Sequence, residues 1–213
     1  LRELFEEAFA SAPDLIAAAS ADVRAVFERD PATSNYLSVV LYLKGFQSIQ
    51  VHRLAHYLWR NERCNLATFV QSRNAEVFAV DIHPGCRLGR GIMFDHATGI
   101  VIGETCVIDD DVSILQHVTL GGTGNEQGDR HPKVRSGVLI SAGAKVLGNI
   151  EIGCGAKIGA GSVVLKDVPA HCTAVGVPAR SIGTCKEKSP ALGMNQQFDG
   201  TESWGDEPMD YQV

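Results

Sequence analysis

From Ile82 to Val164 the apolar residues of this chain recur every six positions. Ile82, Leu88 and Phe94 set the period. After a slip of two residues it resumes at Ile102, Ile108, Ile114 and Leu120. After a polar insertion it runs on through Val134, Ile140, Val146, Ile152, Ile158 and Val164. The fourth residue after each of these is mostly small or apolar, as in Cys86, Ile92, Cys106, Val112, Val118, Val138, Ala144 and Ala156. Glycine holds the third place at Gly85, Gly91, Gly137, Gly143, Gly155 and Gly161. A helix needs apolar spacing near 3.6 and does not tolerate glycine this dense. Short strands with a tight turn every six residues do fit, two inward side chains per hexad supplying the core. The pattern predicts a parallel β-helix with about three hexads per turn.

The flanks follow other rules. Leu4, Phe5, Ala8 and Phe9, then Leu15, Ile16, Ala19, Val23, Val26 and Phe27, have helical spacing, with a restart at Pro13-Asp14 and a stop at Asp30-Pro31. Further helices are expected over about 37–61 and about 65–78. Arg53, His56 and Arg60 on the second read as solvated by default. The polar run from Gly121 to Pro132 cannot supply inward residues, so it must leave the coil as a loop. From about Lys186 the chain is polar, rich in Gly, Pro, Asp and Glu, and without period, which predicts a disordered tail. The expected organisation is a helical domain over 1–80, a β-helix over 81–185 with a protruding loop at 121–133, and a flexible tail over 186–213.

Composition narrows the classes. With 213 residues, 45% of them hydrophobic, the chain can hold one β-domain and a smaller helical one. A net charge of -6 argues against nucleic acid, which needs a clustered basic face. No apolar run reaches membrane-spanning length. The first residue is Leu1, so the helical domain is expected to be incomplete at its start. The six cysteines include no CxxC; Cys86 and Cys106 fall at inward positions and read as packing residues. Unpatterned thiols suit a reducing compartment, so the expected location is the cytoplasm, with a plastid or other organelle as the alternative.

Histidine is the first candidate for chemistry near neutral pH. His52 and His56 lie on the second helical stretch, where structural roles are expected, and His171 lies in the turn after the last hexad. His96 is the sharpest candidate. It sits in Phe94-Asp95-His96-Ala97-Thr98-Gly99, beside the two-residue slip, at an outward or turn position that core packing does not explain. Asp81 precedes it by a little under one turn and can lie near the same edge. A carboxylate bonded to one ring nitrogen fixes the tautomer and raises the basicity of the other. Arg130 and His131 make the loop a second candidate.

These residues sit in segments that resemble serine O-acetyltransferase. The segments are Asp81-Ile82-His83-Pro84, Gly89 to Gly99, Thr119 to Gly124, Gly128-Asp129-Arg130-His131-Pro132-Lys133 and Gly176-Val177-Pro178-Ala179-Arg180. Upstream, Arg29-Asp30-Pro31-Ala32 and Tyr42-Leu43-Lys44-Gly45-Phe46 join them. The hexads and Val-Pro-Ala-Arg are shared by hexapeptide acyltransferases in general; Asp-His-Ala-Thr-Gly and Gly-Asp-Arg-His-Pro-Lys are more specific. The resemblance implies an α+β fold, N-terminal helices followed by a left-handed β-helix.

The resemblance also implies a reaction. His96 would deprotonate the serine hydroxyl, oriented by Asp81, and the hydroxyl would attack the thioester of acetyl-CoA to give O-acetylserine for cysteine biosynthesis. Asp30 and Asp95 would hold the serine ammonium and Arg130 its carboxylate, with His131 assisting. CoA would lie along the coil at Gly122, Ala142 and Lys157. No metal is required. The family works as trimers with sites between neighbouring β-helices, joined by the N-terminal helices into hexamers, and L-cysteine would compete in the serine pocket. O-acetylserine sulfhydrylase would bind the C-terminal tail. Val213 stands where the family carries Ile, one methylene short, so a several-fold weaker complex is expected at about 0.8 kcal/mol per buried methylene. The competing readings are a hexapeptide acetyltransferase for a sugar or antibiotic hydroxyl, a zinc-dependent hexapeptide-fold carbonic anhydrase, and a non-catalytic scaffold.

Overall fold

The computed structural model describes residues 1–124, 127–184 and 187–197. Five helices come first: α1 (Arg2–Ser11), α2 (Asp14–Arg29), α3 (Tyr36–Tyr42), α4 (Lys44–Arg60) and α5 (Cys64–Phe78). The restart at Pro13-Asp14 and the stop after Arg29 fall where the spacing places them. The stretch expected as one helix over 37–61 is two. Leu43 leaves the helical region at φ −89° and ψ 104°, and the chain re-enters it at Lys44. The new direction lays Gly45 against the solenoid, where a Cβ would stand 2.0 Å from the Phe94 carbonyl oxygen. Only glycine fits that approach.

Among the described residues fifteen strands follow, and the hexads build three parallel sheets. The first holds β1 (Val80–Ile82), β4 (Ile100–Ile102), β7 (Thr119–Gly121), β10 (Lys145–Leu147) and β13 (Val163–Val164). The second holds β2 (Arg87–Leu88), β5 (Val107–Ile108), β8 (Lys133–Val134) and β11 (Glu151–Ile152). The third holds β3 (Met93–Asp95), β6 (Ser113–Leu115), β9 (Leu139–Ile140), β12 (Lys157–Ile158) and β14 (Cys172–Gly176). The chain therefore visits each sheet once per turn, and Ile, Val and Leu of successive turns stack inside. The inward hexad residues are buried, Cys86 and Cys106 among them. Burial pushes the Cys106 thiol up to about 12, as expected of a packing residue.

The pairing register shows where the repeat is broken. Ile82 pairs with Ile102 and Phe94 with Ile114, twenty residues apart. Ile102 pairs with Leu120 and Val134 with Ile152, eighteen apart. Ile108 pairs with Val134, so the turn holding the polar loop is eight residues longer than that. The two-residue excess lies in the corner between β3 and β4, and the eight-residue excess between β7 and β8. Every candidate catalytic or substrate-binding side chain except Asp30 and Asp81 sits at one of these two irregular corners.

Three expectations need correction. Arg53 is buried rather than solvated: its guanidinium bonds the buried Asp22 carboxylate at 2.8–3.0 Å and the Gly89 carbonyl at 2.7 Å. Asp22 also accepts from the Ile92 N–H, so this pair ties α2 and α4 to the solenoid. The solenoid ends in a strand no hexad announced, β15 (Ala179–Thr184), which returns antiparallel to β14. Exposed His171 thus precedes two strands. Finally, the part of the tail from 187 to 197 packs. Its short helix α6 (Pro190–Gly193) contacts α2 and β9, Ala191 is fully buried, and the Ala191 carbonyl accepts from Ser113 Oγ at 2.9 Å. Composition missed it because the contact is made largely by main-chain groups, the Ala191 N–H and the Ala191 and Gln197 carbonyls, with small buried Pro190 and Ala191 and the single larger side chain of Met194. The remaining tail residues expected to be disordered, with Cys185, lie outside the described residues.

Candidate active site

His96 stands on the wider corner. His96 and Ala97 both take left-handed backbone, at φ 55° and 60°. Two consecutive non-glycine residues there are uncommon and store strain that the surrounding structure must hold. The surroundings do so: Gly99 N–H donates to the Ala79 carbonyl at 2.7 Å and His117 N–H to the Thr98 carbonyl at 2.8 Å. Lys44 at the head of α4 bonds the Thr98 hydroxyl. The result is an imidazole presented outward, 74% exposed.

Carboxylates surround it unevenly. Asp95 Oδ1 lies 3.8 Å from His96 Nε2. Burial pushes the Asp95 carboxyl up, His96 pulls it down, and the like charge of Asp30 pushes it up again. Asp30 is therefore a neighbour of Asp95 across the domain boundary. It accepts from Ala32 N–H at 2.8 Å and from the Thr33 hydroxyl at 3.0 Å. Asp30, Asp95 and His96 are brought together, a cluster of two carboxylates and an imidazole. Asp81 is not bonded to His96. It is exposed on β1 and accepts from Gln71 Nε2 of α5 at 2.7 Å. It sits two residues beyond Ala79, whose carbonyl anchors the His96 corner.

Arg130 and His131 lie elsewhere, at the corner joining the first and second sheets. Arg130 Nη2 bonds Glu104 Oε2 at 2.9 Å, and Nη1 bonds the Gly128 carbonyl at 3.0 Å. His131 is buried, so this end of the loop folds back rather than protruding. A Cβ on Gly103 would stand 2.2 Å from its ring, so the bare backbone there is the seat of the imidazole. Burial and the Arg130 cation hold the His131 ring below the usual imidazole range, against the opposing pull of Glu104. His83 lies in the same electrostatic neighbourhood, lowered chiefly by burial. Sequence reading missed Gly103, Glu104 and Thr105; they occupy an ordinary hexad turn and gain their meaning only from the loop laid over them.

The residues assigned to CoA are also divided. Gly122 lies beside His131, whose Nε2 is 3.6 Å from where a Gly122 Cβ would be. Ala142 lies at the other corner, two turns along from His96. Lys157 is buried on the third sheet beneath the 187–197 segment, its Nζ donating to the Gln197 carbonyl at 2.5 Å. One chain thus presents a carboxylate-and-imidazole pole at one edge of the first sheet and a guanidinium pole at the other.

Known proteins resemble this chain in both sequence and fold. Residues 1–51 match the family described as "Serine acetyltransferase, N-terminal". Serine acetyltransferase of Salmonella typhimurium is 58% identical over 209 residues, 97% of this chain and 77% of that protein. The crystal structure of serine acetyltransferase from Vibrio cholerae superposes with a TM-score of 0.92 at 60% identity, covering 93% of this chain and 77% of that one. A serine acetyltransferase complex with cysteine gives 0.91 at 59% identity, covering 92% and 77%. The Brucella abortus serine acetyltransferase in complex with coenzyme A gives 0.85 at 55% identity, covering 86% and 73%.

Proposed function

The chain belongs to the serine acetyltransferase family, and from that premise we propose how its two corners divide the work. It is an acetyl-CoA-dependent serine O-acetyltransferase, forming O-acetylserine for cysteine biosynthesis. The observation that carries the assignment of roles is the exposed His96 beside Asp95 and Asp30.

L-Serine arrives as a zwitterion. Its ammonium is held by Asp30 and Asp95, and its carboxylate by the Arg130 fork, which matches a carboxylate in two parallel hydrogen bonds. Arg130 exchanges Glu104 for substrate as it does so. His96 takes the hydroxyl proton while the serine oxygen attacks the thioester carbon. Collapse of the tetrahedral intermediate breaks the C–S bond, and the departing thiolate takes the proton back from His96. Asp81, at the anchor of the His96 corner, orients the imidazolium as it forms, which the exposed ring permits by rotation. Acetyl-CoA runs past Gly122 and Ala142, where small side chains admit pantetheine close to the backbone. Lys157 is the cation assigned to a CoA phosphate.

The two poles face each other most simply across two chains of a trimer. The cysteine complex of the relative supports L-cysteine as a feedback ligand in the serine pocket. The segment Asp210-Tyr211-Gln212-Val213 is proposed to engage O-acetylserine sulfhydrylase, a reading supported by the family resemblance. Titration of the sulfhydrylase with full-length and tail-truncated chain tests that partner. The cytoplasm remains the proposed location. The reaction itself is tested by CoA release with and without L-serine. Release that needs serine bears the reading out; equal release with a sugar acceptor, or none with serine, sinks it.

A further inference from the structure

Thr105 holds the base of the Arg130–His131 loop by three kinds of hydrogen bond. Its Oγ1 accepts from the Arg130 N–H and from the His131 N–H, each at 3.1 Å. Its own backbone N–H points at His131 Nδ1, at 3.2 Å. Thr105 Oγ1 itself lies 2.9 Å from the same Nδ1. A hydroxyl oxygen has two lone pairs, and here both are filled by backbone donors. It cannot accept a third bond from an Nδ1–H. A backbone N–H can only donate, so Nδ1 must present its lone pair to Thr105. The neutral ring then carries its proton on Nε2. That atom has no hydrogen-bond partner among the described residues, and it emerges between Gly103 and Gly122.

We propose that Thr105 is a positioning residue that locks His131 in the Nε2–H tautomer, making it a fixed hydrogen-bond donor to an anionic oxygen of the reaction and not a base. This rests on the serine acetyltransferase reading and deepens it. The proton stays on His131 throughout; only a hydrogen bond forms. Two oxygens have the required chemistry: the serine carboxylate, next to Arg130, and the oxyanion on the thioester carbon, which passes Gly122. Both are negative, and a donor that needs no reorganisation stabilises either. Neutrality is built in as well, because an imidazolium would place an Nδ1–H against the Thr105 N–H. The two histidines of the site thereby take opposite parts. His96 is exposed and free to exchange protons; His131 is buried and held to one tautomer.

The tautomer is read directly from the imidazole nitrogen-15 spectrum of the free enzyme, His131 being identified as the signal missing from H131Q. The expected result is an unprotonated Nδ1 and a protonated Nε2 across the neutral range. A proton on Nδ1, or titration alongside the exposed histidines, overturns the proposal. Thr105→Val keeps the backbone N–H but removes the hydroxyl that seats the Arg130 and His131 N–H groups, so the ring should slip from that donor, giving mixed tautomers with turnover down by about tenfold or more, while Thr105→Ser restores both. Unchanged tautomer and turnover in folded Thr105→Val would dismiss the positioning role. Kinetics separate the two oxygens. The side-chain amide introduced by H131Q keeps a donor near the ε position, so H131Q should outperform His131→Ala. Loss confined to the serine KM identifies the carboxylate, and loss of kcat at saturating serine identifies the oxyanion. Equal loss in the two variants rejects the donor role. If the tautomer is as expected but no serine-dependent CoA release occurs, the functional reading fails and the lock stands.

Discussion

At the scale of single residues, position predicts the form of the kinetic defect. His96 is exposed and contributes nothing to the core, so His96→Ala should stay folded while serine-dependent CoA release falls by about 10²–10⁴-fold, the usual cost of a general base. Near-normal turnover in a variant with unchanged circular dichroism would remove His96 from the mechanism. The Arg130 guanidinium bonds Glu104 and the Gly128 carbonyl of its own loop, so Arg130→Ala should raise the serine KM by about tenfold or more and leave that for acetyl-CoA nearly unchanged. Parallel losses for both substrates would show instead that Arg130 merely folds the loop. Much of the candidate site was legible in the sequence, because a histidine beside a slip in a regular repeat has no packing reason to be there. Glu104 and Thr105 were not. Within their own hexad they are ordinary turn residues, and their partners lie 25–26 positions away.

Elements pair through buried polar groups that no hydropathy pattern announces. Helix α4 meets the solenoid through Arg53 and His52 as well as through Ile49. His52 Nδ1 and Nε2 are both buried without a well-formed hydrogen bond among the described residues. Burial, with His56 and Arg53 adding and the Cys86 backbone opposing, pulls its pKa down to about 3. The native state therefore keeps His52 neutral while the unfolded chain protonates it near the ordinary value of about 6.5. The contribution is fully present above that value. It is lost progressively as pH falls toward 3, because the unfolded state then binds a proton the native state refuses. Each unit of separation is worth about 1.4 kcal/mol, so the cumulative loss is on the order of a few kcal/mol. Denaturant melts of the wild type and of His52→Gln from neutral to acid pH provide the check. The wild type should lose more stability below pH 6.5 than the variant, and identical slopes would mean that water reaches this ring. The solenoid was legible because two inward residues per hexad leave a period that nothing else produces. The break at Leu43 and the return of 187–197 were not, since each depends on a surface that exists only after the coils have stacked.

For the whole molecule the decisive fact is that the two poles occupy different corners. Asp30, Asp95 and His96 stand between the third and first sheets, and Arg130 and His131 between the first and second. In the trimer proposed above, a zwitterion the size of serine would bridge them where the guanidinium corner of one chain meets the imidazole corner of the next. A cyclic trimer repeats that heterologous contact three times and closes. The arrangement makes a prediction that no single-chain site can imitate. Assayed with serine well below the raised KM, where each is deficient alone, His96→Ala and Arg130→Ala chains should restore activity when unfolded together and co-refolded. A site is intact only where a chain with native His96 meets a neighbour with native Arg130. Random mixing of equal amounts brings that combination about in one contact of four, so recovery to about a quarter of wild-type turnover is expected. Mixing the two folded variants without exchange should restore nothing, which controls for wild-type contamination. If co-refolded chains form trimers by light scattering yet stay as inactive as their parents, both poles serve one chain, and Arg130 must swing across the first sheet to reach His96.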